Sequence, residues 1–163
     1  GSCRNVALFP SPCKLHITVC MLQLLSEDEC DKAHMLLQKT IKEWCQMNPT
    51  MSRSMIIRGL DNMNDDPIKT HVLFGKIYSE SAQSLSNYVR DSFGKEGLAY
   101  PSEKDHGDVK MHMTLMNTRY AAETPEFRFR QAIDVSALME QYKDYDFGQL
   151  VLEKYNFCKV PPR

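Results

Sequence analysis

Two matching segments of the chain, Lys14–Val19 and Lys110–Leu115, each place a histidine two residues before a threonine. Both read lysine, apolar, histidine, apolar, threonine, apolar. Successive side chains of a β-strand point to opposite faces, so in a strand the lysine, histidine and threonine share one face and the apolar residues share the other. Two such strands side by side would bring two imidazoles and two hydroxyls into one cleft. These groups are suited to moving protons around a phosphate.

The two histidines are the candidate catalytic acid and base. Imidazole ordinarily titrates near pH 6.5, so near neutral pH one ring can be neutral while the other is charged. We expect His16 and His112 to divide these roles: one takes a proton from water or a ribose 2′-hydroxyl, and the other gives a proton to the leaving oxygen. The hydroxyls of Thr18 and Thr114 would donate hydrogen bonds to the non-bridging phosphate oxygens. The scheme needs no metal or other cofactor, and the sequence leaves open which histidine is the base.

The repeat decides between a catalytic and a structural interpretation. A lone His-x-Thr in a strand is more often structural, but the second copy matches the first in residue type at every position, which suggests two related halves.

Four further residues are candidate substrate contacts: Lys14, Lys110, Arg119 and Tyr120. The lysines either raise the positive potential at the rim of the cleft or lie in solvent at strand ends. Arg119 would contact phosphate, and Tyr120 would stack on a base.

Three other histidines are not expected to take part. His34 lies on the apolar face of a predicted helix and is expected to be packed there. His71 begins a predicted strand and His106 lies in a loop, and neither has a partner at useful spacing.

The composition limits the kinds of partner and compartment. A chain of 163 residues with 42% hydrophobic and 25% charged residues is typical of one globular domain with a sizeable core. A net charge of -1 excludes a global basic field, so nucleic-acid binding requires a local patch. No apolar run approaches the roughly 18 residues of a membrane span.

The six cysteines include no C-x-x-C motif. This favours thiols in a reducing compartment over a zinc site or disulfides.

The hydrophobic pattern predicts an α+β protein with helices packed on antiparallel sheet. Ser26 and Glu29 form a capping box that predicts the start of a helix running to Cys45. The other predicted elements are strands at about 14–21, 54–60, 70–78, 98–100, 109–116, 127–133 and 150–157, and helices at about 81–93 and 134–142.

The two motifs resemble the paired H-x-[ST]-Φ motifs of the 2H phosphoesterase superfamily. Further segments resemble a branch of this family that functions in a helicase-containing nuclear coactivator complex linked to alkylation repair. These segments are Leu15–Val19, Leu24–Glu27, Met63–Pro67, Met116–Thr118 and Phe147–Gly148. The resemblance covers about residues 9–158.

The resemblance implies a bilobal fold, like that of RNA ligases and cyclic phosphodiesterases, in which two antiparallel sheets flank a central cleft and helices lie outside. We expect one domain of two pseudo-symmetric lobes over residues 3–163, with Gly1 and Ser2 as the remnant of a cleaved tag. A strand and helix before the first motif, and an upstream KH domain, are expected to be absent.

The resemblance also implies an activity. The expected substrates are RNA ends, 2′,3′-cyclic phosphates or 2′-5′ linkages. The expected protein is a nuclear monomer that contacts the helicase-containing complex and no membrane. The alternative is a non-catalytic module that binds RNA or a nucleotide within that complex.

Overall fold

The chain contains both helices and strands in the computed structural model, which describes residues 6–101, 107–121 and 131–158. The helices in these ranges are α1 (Glu27–Met47), α2 (Glu80–Lys95), α3 (Thr118–Ala121) and α4 (Ser136–Gln141). The strands are β1 (Ser54–Asn62), β2 (Val72–Tyr78), β3 (His112–Asn117) and β4 (Asp146–Val151). Short 3₁₀ turns occupy Val6–Leu8, Pro12–Lys14 and Pro67–Lys69.

The four strands form one antiparallel sheet in the order β3-β2-β1-β4. This confirms the α+β class. The long helices α1 and α2 pack together through a cluster of buried residues, Ala33, Leu37, Trp44, Leu85, Val89 and Phe93. Trp44 Nε1 also donates to Ser84 Oγ at 3.2 Å, which ties the two helices together at a polar point.

The first helix begins as its sequence predicts. Ser26 Oγ accepts a hydrogen bond from Glu29 N at 3.1 Å, and Glu29 Oε2 accepts from Leu25 N, so the capping box satisfies two N–H groups at the helix start. The helix continues two residues past the predicted end and stops at Met47, just before Asn48-Pro49. Asn48 Nδ2 caps it by donating to Trp44 O at 3.0 Å.

The predicted strand at 14–21 is wrong as a continuous element. The chain makes a 3₁₀ turn at Pro12–Lys14, and its β-pairing with described strands and loops is then limited to isolated bridges, Ile17 to Met113 and Leu22 to Ala99. Pro12, the first residue of that turn, has no N–H to donate to a neighbouring strand. The chain therefore pairs with the sheet only farther along its sequence. The predicted strand at 98–100 is likewise reduced to the bridge at Ala99.

The last strand begins earlier than predicted, at Asp146, and ends at Val151. The residues after it pack on the α1–α2 cluster through Leu152, Tyr155 and Phe157 instead of extending the sheet. The predicted strand at 127–133 lies mostly outside the described residues; within them, Ile133 bridges to Thr70.

No described cysteine forms a disulfide; these are Cys13, Cys20, Cys30, Cys45 and Cys158. In the described ranges, no helix combines the length and apolar character required to cross a membrane.

Candidate active site

The two His-x-Thr segments meet at a single antiparallel bridge between Ile17 and Met113. In an antiparallel pair, one step to either side of this bridge places His16 opposite Thr114, and Thr18 opposite His112. The four residues therefore share one face, with each histidine across from the other segment's threonine. This arrangement agrees with the face expected from the sequence and adds a register that the sequence does not contain.

The apolar residues of the first segment divide between core and solvent. Ile17 packs against the buried cluster of Met55, Ala82, Val109 and Met111, and Val19 packs against the α1–α2 cluster. Leu15 is 39% exposed, so only part of the expected apolar face is buried. Leu15 directly follows the 3₁₀ turn and precedes the bridge, where the segment is not yet paired with the sheet.

Both imidazoles are oriented by the same backbone contact. His16 Nδ1 lies 2.8 Å from Lys14 O, and His112 Nδ1 lies 2.7 Å from Lys110 O. A carbonyl oxygen only accepts hydrogen bonds, so Nδ1 carries the proton in each ring. In the neutral imidazole this leaves Nε2 as the free acceptor. Each histidine thus presents the same ring nitrogen for proton transfer.

The paired lysines contribute their carbonyl groups to this arrangement. Both side chains are exposed, and Lys110 Nζ lies 5.4 Å from the centre of the Phe74 ring. The Phe74 ring also meets the His112 ring edge-on, with centroids 5.3 Å apart. Phe74 is 3% exposed and pairs with Thr114 across the β2–β3 ladder. It therefore forms a packed support beneath the second histidine and threonine.

The two threonines keep their hydroxyls available. Among the described residues, neither Thr18 nor Thr114 forms a side-chain hydrogen bond that would occupy its hydroxyl, and both are half-buried. A half-buried hydroxyl across from an imidazole is well placed to donate to an oxygen bound between them.

Helix α2 holds the residues just before the second motif. Asn87 Oδ1 accepts from Val109 N at 2.8 Å, and Asn87 Nδ2 donates to Asp108 Oδ1 at 2.9 Å. Gln83 Nε2 donates to Val109 O at 2.9 Å, and Arg90 Nη1 donates to Gly107 O. The sequence analysis missed these anchors because a polar residue on a helix surface gives no signal of its distant backbone partner.

Arg119 and Tyr120 lie on α3, directly after β3, and both are exposed. Arg119 N donates to Asn117 Oδ1 at 3.0 Å, which fixes the turn from strand to helix. No contact in the described part of the chain joins either side chain to the two histidines.

The other histidines differ in their surroundings. His34 is exposed on α1, with its ring 4.8 Å from that of Phe157, so the expectation of a packed residue is wrong. Along α1 it directly follows the buried Ala33, but its own side chain is exposed to solvent. His71 Nδ1 lies 3.1 Å from Thr118 Oγ1, and His106 lies outside the described residues.

The described ranges contain no group of three or more His, Cys, Asp or Glu residues able to hold a metal ion.

Comparison with known proteins agrees with the motifs. A family model described as the AKAP7 2'5' RNA ligase-like domain matches residues 2–162. Activating signal cointegrator 1 complex subunit 1 of Mus musculus is 30% identical over 171 residues, an alignment that covers 93% of this chain and 47% of the relative. The chain therefore spans about half the length of the curated relative that it matches. Since the family match extends over nearly the whole chain, the protein belongs to the AKAP7 2'5' RNA ligase-like domain family of the 2H phosphoesterase superfamily.

Proposed function

We propose that this chain is a phosphodiesterase domain that acts on RNA ends, 2′,3′-cyclic phosphates or 2′-5′ linkages by two-histidine acid–base catalysis. The observation that carries the proposal is the matched pair of Nδ1 contacts to Lys14 O and Lys110 O. A residue that only binds phosphate has no need of a fixed tautomer, whereas a general base requires a free nitrogen at a known position.

The proposed reaction places the scissile phosphate between the two segments. The Nε2 of one histidine takes a proton from water or a ribose 2′-hydroxyl as the new P–O bond forms. The Nε2–H of the other histidine gives a proton to the leaving oxygen as the old P–O bond breaks. Thr18 and Thr114 donate hydrogen bonds to the non-bridging oxygens, on which negative charge increases. A proton has then moved from one side of the phosphate to the other, and no metal is required.

The surrounding residues extend this site. We propose that the two lobes of the family fold flank the cleft, with Lys14 and Lys110 at its rim. Arg119 and Tyr120, at the end of β3, are proposed to contact a phosphate and a base of the bound strand.

The relative's printed name describes a subunit of a complex, which suggests an assembly for this chain too. We propose that it acts as a monomeric domain within a nuclear, helicase-containing coactivator complex linked to alkylation repair.

The second candidate function is a non-catalytic module that binds RNA or a nucleotide in such a complex. The exposure of His16 and the single bridge that holds its segment favour this candidate, because a catalytic group is ordinarily held by more contacts.

A substrate panel tests the proposal. The protein is incubated in EDTA with 2′,3′-cyclic nucleotides, 2′-5′-linked and 3′-5′-linked oligoribonucleotides, and RNAs with defined 3′ ends, across a range of pH. We expect turnover of at least one class with a bell-shaped pH profile, since one histidine must be neutral and the other charged. His16→Ala and His112→Ala should each lower kcat by about 10²–10⁴-fold.

His34→Ala is the matched control, because it removes an exposed histidine that contacts Phe157 outside the cleft. Turnover that survives both cleft substitutions would show that the two-histidine mechanism is wrong. RNA binding without turnover of any substrate in the panel would support the binding module instead.

A further inference from the structure

Lys76 lies directly beside the second histidine on the neighbouring strand. In the β2–β3 ladder Lys76 pairs with His112, and directly paired side chains share a face with Cβ atoms about 4.5–5.5 Å apart. The lysine is half-buried and lies between Phe74 and Tyr78 along β2. Its stem therefore starts on the same face of the sheet as His112, next to the proposed acid or base.

A β-bulge in β1 makes room for this lysine. Ile57 pairs with Ile77 and Leu60 pairs with Gly75, so Arg58 and Gly59 together face Lys76. Gly59 has a φ of +70°, and a Cβ there would lie 3.1 Å from Lys76 Cε and would also meet the carbonyl oxygen of Lys143. The glycine keeps open the space over which the lysine stem runs.

The charge of Lys76 has no counter-ion in the described part of the chain. None of the salt bridges found there includes it. Two carboxylates share the wider face: Asp61 beside Phe74, and Asp146 opposite Arg58. Asp61 Oδ1 accepts from Asn62 N and Asp146 Oδ1 from Gly148 N, both at 2.8 Å. The ammonium of this half-buried lysine, beside the proposed phosphate site, is thus available to a second anion.

The same face offers a flat surface beyond the lysine. Tyr78 pairs with Ile56 across the β1–β2 ladder, and these side chains are 51% and 46% exposed. An exposed ring beside an aliphatic side chain is a surface on which a base can stack. Moving away from His112, this face presents first the Lys76 ammonium and then the Tyr78 ring. A nucleotide bound along it could therefore place its phosphate at Lys76 and its base on Tyr78.

We propose that Lys76 binds the phosphate next to the scissile one in a single-stranded RNA, and that Tyr78 stacks on the base of that nucleotide. This subsite rests on the proposed function, because it takes an RNA strand as the ligand of the cleft. Arg58, exposed beyond Lys76 with its Nε donating to Asp144 O at 3.3 Å, extends the positive charge across the sheet.

Binding of RNAs of different length tests the subsite. The probes are fluorescent 2′-O-methyl oligoribonucleotides, a dinucleotide with one phosphodiester and a tetranucleotide with three, which cannot be cleaved through the 2′ oxygen. Anisotropy is measured over a range of salt concentrations. For the tetranucleotide, Lys76→Gln should lower affinity about tenfold and reduce the slope of log K against log salt by about 0.7. For the dinucleotide both values should stay unchanged.

Lys39→Gln removes an exposed lysine on α1, outside the sheet, and is the matched control. Lys76→Arg should retain the salt slope, and Tyr78→Leu should lower tetranucleotide affinity about tenfold with no change of slope.

Three results would each overturn the subsite: equal losses for the two RNAs, an unchanged slope in Lys76→Gln, or no tetranucleotide binding by the unaltered protein. Turnover of the substrate panel is followed in parallel; no turnover of any class alongside a Lys76-dependent slope would reject the proposed catalysis and retain the subsite.

Discussion

The segments that carry His112 and His16 present the same chemical groups on very different supports. The His112 segment is the strand β3, paired with β2 along its length and preceded by residues that α2 holds through Gln83, Asn87 and Arg90. The His16 segment follows a 3₁₀ turn and joins the sheet through one bridge at Ile17. Both segments nevertheless orient their histidine in the same way, through a carbonyl contact to Nδ1. A local backbone contact is therefore sufficient to orient an imidazole where the surrounding segment is weakly held.

The largest expected difference between the segments is in amide hydrogen exchange. The amides by which β3 pairs with β2 should open only with global unfolding, at about 5–15 kcal/mol. The amides around Ile17 should exchange through local opening that costs several kcal/mol less, since a single bridge holds them. Exchange followed by NMR or mass spectrometry measures both. Equal protection would mean that the first segment is held as firmly as β3.

Next in size is the effect of removing each threonine hydroxyl. Thr18→Val and Thr114→Val keep the side-chain shape and should each lower kcat by about 10²–10³-fold, with smaller changes in KM. Steady-state kinetics on the substrate found in the panel measures this. A loss confined to Thr114→Val would show that only the better-supported segment contributes to the transition state.

A third prediction concerns Tyr155, which lies in the helical layer that supports the residues before β3. Ser86 Oγ donates to Met111 Sδ at 3.4 Å, and the C-terminal Tyr155 packs on the same helical layer. Burial raises the pKa of Tyr155 to about 12 from an ordinary value of 10.0. The folded state thus favours the neutral phenol, so this stabilisation is complete below about pH 10 and is lost as pH rises towards 12.

The expected size of that loss is about 2–3 kcal/mol of unfolding free energy between pH 10 and pH 12. Denaturant unfolding of the unaltered protein and of Tyr155→Phe at several pH values measures it. The variant should lose less stability over this window. Parallel curves would contradict the assignment of the effect to Tyr155.

The smallest expected effect comes from Asn87→Ala, which frees Val109 N and Asp108 from α2. We expect a loss of about 1–2 kcal/mol in unfolding free energy, because the contacts are only partly shielded from water. Protection from exchange at Val109 and Met111 should fall towards that of the first segment. Gln38→Ala, an exposed position on α1, is the control and should change stability little. Unchanged protection in Asn87→Ala would show that the β2–β3 ladder alone holds the second motif.

Local patterns were sufficient to predict most of the elements. The capping box at Ser26, the periodicity of α1 and α2 and the apolar runs in β1 and β2 depend on residues close in sequence, and the structure confirms these elements. The shared face of the two histidines and two threonines follows from alternation in the same way.

What the sequence could not provide was the pairing between distant residues. Alternation shows which side chains share a face but not which residue lies opposite, so Phe74 and Lys76 gave no signal of their place beside Thr114 and His112. The lysine repeat also makes a contribution that its side chains do not indicate. Its consistent structural contribution is a backbone carbonyl, which any residue type supplies.

The Ile17–Met113 bridge has a further consequence for how this site tolerates change in its sequence. Side chains alternate with a period of two, so deleting or inserting one residue beside either motif would turn that whole segment over. His16 and Thr18 would then enter the core while Ile17 faced the solvent, and both crossed partnerships would be lost in one event. The site should accept many single substitutions around it but no change in length within either segment.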